Sequence, residues 1–325
     1  MPRSPQGAPL TPVHRVFVAR QLPGNTADPL YARAEVDIWE LLTPPSPEEL
    51  ARRVEGCQGL LTMPTDRVNS RLLDRAHELR VVSNMAVGYD NIDVAACTER
   101  GIAVGNTPGV LTETTADLTM ALILAASRRL LEGADAVRKG EWPPYYPTYM
   151  LGREVTGATL GIIGYGAIGK AVARRAEAFG MRVIHHSRRS GLPLVDVLRE
   201  ADVVTLHCPL NDDTRGLIGP AELALMKPTS ILINTARGPV VDHQALIQAL
   251  SSGRIFAAGL DVTYVEPLPP DDPILELPNC IVVPHIGSAT FETRTTMAAI
   301  AVDNVIAGLS RKPLPHAVNP DVILR

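Results

Sequence analysis

Short apolar runs alternate with longer amphipathic stretches along almost the whole chain, beginning at Val13. The runs RVFVA (15–19), VDIWE (36–40), GLLTM (59–63), RVVSNM (80–85) and IAVGN (102–106) have the length and β-branched content of strands. Between them SPEELARRV (46–54), VNSRLLDRAHE (68–78) and NIDVAACTER (91–100) read as helices. Ser46 ahead of Pro47, Glu48 and Glu49 is a helix start: a hydroxyl cap, a proline in the first turn, and acids at the positive end of the dipole. Strands alternating with helices predict an α/β architecture, its parallel sheet covered on both faces.

The pattern then restarts. A long apolar helix is predicted over Leu111 to Leu130, followed by the irregular KGEWPPYYPTYMLG (139–152). Strands are predicted at 159–164, 181–186, 202–207, 230–235, 257–262 and 280–285, with the helix AIGKAVARRAEAF (167–179) after the first of them. A final helix, about Phe291 to Leu309, is placed to cross back to the first unit. A length of 325 residues suits two such units better than one core.

Composition narrows the function classes. With 46% hydrophobic and 20% charged residues the chain reads as a soluble globular protein. A net charge of −4 gives no electrostatic case for a nucleic-acid or membrane partner. The longest apolar run, MALILAA (120–126), is far short of the roughly 20 residues a membrane span needs. Residues 1–12 are Pro-rich and polar, and read as a disordered tail rather than a signal peptide. Cys57, Cys97, Cys208 and Cys280 are far apart with no CxxC pair, so neither disulfides nor a metal site is expected and a reducing cytoplasm is.

The sharpest motif is GYGAIG (164–169), which ends an apolar strand and opens a helix. In that context Gly164 permits a tight turn, Gly166 lets backbone N–H groups approach a pyrophosphate, and Gly169 lets the helix pack close to the sheet. About 20 residues on, such a unit ordinarily has an acid for the ribose hydroxyls. This chain has Ser187, Arg188 and Arg189 instead. A carboxylate there repels a 2′-phosphate, whereas the planar fork of arginine matches it. The expectation is NADP(H) preferred, with NAD(H) possible; solvated loop arginines are the alternative.

Three later segments put reactive groups at strand ends, where open α/β sheets bind ligands. INTARG places Arg237 after strand 230–234, GLDVTYVEP places Glu266 after strand 257–262, and VVPHIGSAT places His285 after strand 281–284. Together they suit hydride transfer. Arg237 would hold a substrate carboxylate and polarise the adjacent carbonyl, and His285 would protonate the nascent alkoxide. Glu266 would orient the imidazole and favour its charged form. Singly, each has a structural alternative: a core histidine, a surface acid, an ion-paired arginine.

These segments, with NMAVGYDNID (84–93), NTPGVLTETTADL (106–118), HCPLNDDTRGLI (207–218), INTARGPVVD (233–242) and PHIGSAT (284–290), resemble the D-isomer-specific 2-hydroxyacid dehydrogenase family, in particular its glyoxylate/hydroxypyruvate reductase branch. The resemblance implies two Rossmann-like or flavodoxin-like doubly wound parallel-sheet domains with the active site in the cleft between them. A catalytic domain (13–105 and 290–325) would enclose a dinucleotide-binding domain (106–289), which usually forms the surface of a homodimer. It implies Arg237, Glu266 and His285 as the catalytic trio acting on a small 2-oxo or 2-hydroxy acid. Backbone N–H groups of Val87 and Gly88 would clasp the substrate carboxylate, and Met63 would border a small pocket. Thr112, Gly164, Gly166, Ala167, Ile168, Gly169, Ser187, Arg188, Arg189, Cys208, Pro209, Thr214, Thr235, Ala236, Arg237, Asp261, Gly287 and Ser288 would match cofactor contacts. Ala167 stands where many members have an arginine, which removes one pyrophosphate contact.

The same scaffold resembles enzymes for formate or phosphite. Formate enzymes carry glutamine where this chain has Glu266, while phosphite enzymes keep the trio. It also resembles dinucleotide-sensing corepressors, which the short N-terminal tail disfavours.

Overall fold

The computed structural model describes residues 14–322, so the tail predicted over 1–12 lies outside the described residues. The chain divides into two compact units, Met1–Val110 with Thr290–Arg325, and Leu111–Ala289.

The first unit is built on a five-stranded parallel sheet of β1 (His14–Val18), β2 (Ala34–Ile38), β3 (Gly59–Thr62), β4 (Val81–Asn84) and β5 (Ala103–Gly105), in the order β2-β1-β3-β4-β5. That is the flavodoxin-like order. Every residue of β3, β4 and β5 is buried, as a sheet with both faces covered requires. Helix Pro47–Val54 starts as its sequence predicts, with Ser46 Oγ accepting from Glu49 N at 3.2 Å. Helix Phe291–Leu309 packs on the same sheet, with Gly308 so close to Val81 that a Cβ would overlap the valine side chain. The helix predicted over 68–78 shrinks to a single turn, Ser70–Leu73, capped by Asn69 Oδ1 at 3.1 Å from Leu72 N. Leu72, Leu73, Ala76 and Leu79 are all buried, so successive turns meet the apolar spacing that had suggested a helix.

The second unit carries β6 (Thr159–Ile163), β7 (Arg182–Ser187), β8 (Ser190–Gly191), β9 (Val203–Leu206), β10 (Ile231–Asn234), β11 (Ala257–Leu260) and β12 (Cys280–Val282). Their order is β12-β11-β10-β9-β6-β7-β8. The chain direction across the sheet reverses between β6 and β9, the switch point outside which doubly wound sheets bind ligands. One strand departs from the parallel expectation: β8 pairs antiparallel with β7, Ser187 opposite Ser190, so 187–190 is a hairpin turn.

The long helix predicted to reach Leu130 stops at Ser127. A continuing helix would offer the Ser127 carbonyl to residue 131. Here it accepts Arg153 N–H at 2.7 Å instead. Arg129 adopts a left-handed φ of 51°, its guanidinium bonded to Glu132 at 2.6 Å, and a second helix runs Leu130–Arg138. Helix Thr112–Ser127 is apolar on nearly all sides because it packs on helix Ala167–Ala178 and on β10 and β11.

Candidate active site

The glycine turn follows β6 at the switch point. Gly164 has φ +96°, and a Cβ there would strike the backbone of His207 and Cys208, which places Cys208 beside the turn, with Pro209 next in the chain. A Cβ on Gly169 would strike the Gly164 carbonyl. These two glycines are demanded by the fold. Gly166 is different: its φ is −84° and an added Cβ would meet nothing within 4 Å. The fold leaves room for a side chain at Gly166, so packing within the chain does not account for the glycine there. Ala167 and Ile168 open helix Ala167–Ala178, whose N-terminus no side chain caps. An uncapped helix start beside an exposed glycine fits a pyrophosphate.

Arg188 and Arg189 form the exposed tip of the β7–β8 hairpin. Ser187 closes that turn itself, donating to Ser190 O at 3.0 Å and accepting from Ser190 N at 3.2 Å. The guanidinium groups are therefore the part of the hairpin presented outward. The hairpin is braced against the glycine turn by Tyr165, stacked on His185 with ring centroids 4.0 Å apart.

At the neighbouring strand ends, Thr214 Oγ1 donates to Pro209 O at 2.6 Å and accepts from Asn211 N at 2.9 Å, closing the 209–214 turn. Buried Thr235 shares its hydroxyl with Thr119 Oγ1 at 3.1 Å and His207 Nδ1 at 3.4 Å. Burial pushes the His207 imidazole down to about 3, so this ring is a neutral bridge to Thr205 Oγ1 at 3.0 Å. Thr112 is the first residue of its helix and is half-buried.

Arg237, Glu266 and His285 follow β10, β11 and β12, three adjacent strands. Asn234 shapes the first loop, donating to Arg237 O at 2.9 Å and accepting from Ala236 N at 3.0 Å. Arg237 Nη1 donates to Ala236 O at 2.9 Å. Glu266 Oε2 lies 2.7 Å from His285 Nδ1, and Glu266 Oε1 accepts from Thr263 N at 3.2 Å. Burial alone would push the Glu266 carboxyl up. The hydrogen bond and charge of His285, the Thr263 N–H and the Arg237 charge outweigh it and hold the group below its ordinary value. The carboxylate stays ionised, and it is the natural acceptor for an Nδ1 proton.

His285 has φ +52°, a left-handed conformation that costs a non-glycine residue about 1–2 kcal/mol. Asp261, 2% exposed, holds the chain there. Its carboxylate accepts Ile286 N at 2.6 Å and Gly287 N at 2.8 Å, and its carbonyl accepts His285 N at 3.0 Å. Burial raises the Asp261 carboxyl above its ordinary range, against the lowering effect of those N–H groups and of the His285 charge. With both oxygens taken by the loop, Asp261 serves as the loop's anchor. Ser288 follows, half-buried.

In the first unit, Met63 lies half-buried in the turn after β3, and Val87 and Gly88 in the loop after β4. The Val87 carbonyl accepts Asn106 Nδ2 and the Gly88 carbonyl accepts Asn84 Nδ2, both at 2.8 Å. Among the described residues neither N–H has an acceptor. Adjacent N–H groups without an acceptor are the raw material of an anion cradle.

A glycine turn at the switch point and an ionised acid–imidazole pair after strands of the same sheet suit a dinucleotide-dependent oxidoreductase. The family profile for the D-isomer specific 2-hydroxyacid dehydrogenase NAD-binding domain matches residues 120–287. A glyoxylate reductase of Korarchaeum cryptofilum is 46% identical over 321 residues, covering 95% of this chain and 97% of that protein. A crystal structure from Thermus thermophilus superposes with a TM-score of 0.89 at 48% identity, covering 94% of this chain and 99% of that one. The NADPH-dependent glyoxylate/hydroxypyruvate reductase of Sinorhizobium meliloti, in complex with NADP and malonate, superposes with a TM-score of 0.85 at 32% identity, covering 96% and 98%. The chain belongs to the D-isomer-specific 2-hydroxyacid dehydrogenase family and is an NAD(P)-dependent D-2-hydroxyacid dehydrogenase.

Proposed function

We propose that this dehydrogenase reduces small 2-oxo acids, glyoxylate or hydroxypyruvate, with NADPH as the preferred coenzyme and His285 as the proton donor. The observation that carries the reading is the 2.7 Å contact of His285 Nδ1 with the ionised Glu266. It fixes the proton on Nδ1 in the neutral ring and stabilises the imidazolium, leaving Nε2 to give its proton to the developing alkoxide. Arg237 holds the substrate carboxylate and polarises the adjacent carbonyl. The N–H groups of Val87 and Gly88 bind a carboxylate without adding a side chain that would limit substrate size. When bound, the reduced nicotinamide supplies the hydride. The reductase names of the Korarchaeum and Sinorhizobium relatives support this substrate class.

The test is a steady-state panel of NADPH and NADH, each against glyoxylate, hydroxypyruvate, pyruvate and 2-oxoglutarate. Turnover of glyoxylate or hydroxypyruvate, faster with NADPH, is expected. Turnover of none of the four, with phosphite oxidised by NADP instead, would replace the substrate class while keeping the Arg-Glu-His set.

We further propose a homodimer through the second unit. Leu130, Leu131, Val137, Trp142, Tyr145 and Leu151 are exposed large apolar residues within 22 positions, Trp142 at 73% and Tyr145 at 93%. So many exposed large apolar side chains in one segment suit a surface that a partner covers. Light scattering is expected to give twice the 34.9 kDa chain mass, and Trp142→Ser with Tyr145→Ser to shift it toward monomer. A cytoplasmic setting is proposed from the four free cysteines.

A further inference from the structure

The carboxyl edge of the first sheet holds a charged pair that the reaction described above does not use. Asp66 is 3% exposed, with its side chain between two loops. Asp66 Oδ2 accepts Met63 N at 2.9 Å and Thr62 Oγ1 at 3.2 Å. Asp66 Oδ1 faces Arg20 Nη2 at 3.1 Å, and Arg20 also donates to Thr65 Oγ1 at 3.2 Å and to the Ala19 carbonyl.

From this turn the hydrogen bonds continue. Asn91 Nδ2 donates to Met63 O at 3.0 Å and to Asp66 O at 2.9 Å. Asn91 Oδ1 accepts Asn84 Nδ2 at 3.1 Å, and that same amide donates to Gly88 O at 2.8 Å. One unbroken set therefore runs from the Arg20 guanidinium to the Gly88 carbonyl, in the loop that also carries the unpaired N–H groups of Val87 and Gly88. The set joins the turn that holds Met63 to the loop that holds the cradle.

We infer that Arg20 and Asp66 are positioning residues for the substrate: their ion pair fixes the Met63 turn, and through Asn91 and Asn84 it fixes the Gly88 carbonyl, one end of the loop whose N–H groups at Val87 and Gly88 are unpaired, while Asn106 holds the Val87 carbonyl between them. A buried ion pair adds little net stability compared with apolar residues of the same shape, whereas removing one partner leaves a stranded charge. Its effect is geometric. A displaced loop weakens the hold on the substrate carboxylate, away from the reacting carbonyl, so the loss is read in KM rather than in kcat. The inference rests on the proposal that this cradle binds the 2-oxo acid.

Asp66→Asn and Arg20→Met test it, with Arg20→Lys as the conservative control. The expected result for the first two is a KM for the 2-oxo acid raised tenfold or more, with kcat changed less than about threefold and NADPH affinity unchanged. Arg20→Lys, which keeps the charge, stays within about threefold of the parent. Hydrogen exchange of the segment 84–91 is measured on the same proteins, and is expected to accelerate in Asp66→Asn and Arg20→Met while the segment 159–169 keeps its protection. Arg20 is partly exposed, so its replacement keeps the test valid if Asp66→Asn folds poorly. Unchanged KM with unchanged exchange at 84–91 overturns the inference, and so does a uniform loss of protection in both segments. Should the parent protein turn over no 2-oxo acid, the substrate reading fails, and the exchange measurement alone decides whether the pair holds the cradle.

Discussion

Replacing His285 with glutamine is expected to lower kcat for 2-oxo acid reduction by about 10²–10⁴-fold, the range for loss of a positioned general acid. Glutamine can still hydrogen-bond, but it carries no proton to give at neutral pH. NADPH affinity is expected to stay within about threefold, because the glycine turn and the 187–190 hairpin are built by other strands. The pH profile separates a proton donor from a structural histidine. Reduction needs the charged ring, so kcat/KM falls as pH rises. Glu266→Gln takes the carboxylate acceptor from Nδ1 at 2.7 Å and is expected to lower kcat through loss of ring orientation. On the acid side the sign is opposite. The Glu266 carboxyl is held below its ordinary value, so its support persists as pH falls and disappears only on passing through that lowered pKa. Near-full activity in His285→Gln, or a flat kcat/KM from about pH 6 to pH 9, would remove His285 from the proton transfer.

Arg188→Ala with Arg189→Ala is expected to raise the KM for NADPH by between about tenfold and a few thousandfold. Each charge-assisted hydrogen bond to phosphate contributes about 1.5–3 kcal/mol, and about 1.4 kcal/mol is tenfold. The KM for NADH should change by less than about threefold, since it lacks the 2′-phosphate. Both side chains stand at an exposed hairpin tip and Ser187 closes the turn without them, so the substitutions leave the backbone in place. An unchanged ratio of kcat/KM for the two coenzymes would make the arginines ordinary solvated charges.

Much of this molecule was legible in its sequence, because the relevant physics is local. A buried parallel strand needs a short apolar run, and the runs at 159–164, 181–186, 202–207 and 230–235 became β6, β7, β9 and β10 within two residues at each end. Gly164 announced its own turn, since its positive φ and its closeness to His207 leave no room for another residue. What stayed hidden depends on residues far apart in the chain. The helix break after Ser127 needs the Arg153 N–H, 26 positions on. The antiparallel turn of β8 was masked because a two-residue strand has no periodicity to read. The bridge of Thr119, Thr235 and His207 joins three elements, and nothing in TLHCPL marks His207 as neutral. Arg20 and Asp66 are 46 positions apart, and only the fold shows that they meet.

Helix Phe291–Leu309 has a consequence for biosynthesis. It lies against β3 and β4 and covers Val81, yet it leaves the ribosome only after residues 111–289 have been made. Until then the N-terminal sheet has one apolar face without its cover, while the middle of the chain already possesses every strand it needs. The nascent protein therefore completes its interior before its beginning, and its N-terminal third depends longest on chaperones or on slow elongation to avoid aggregation.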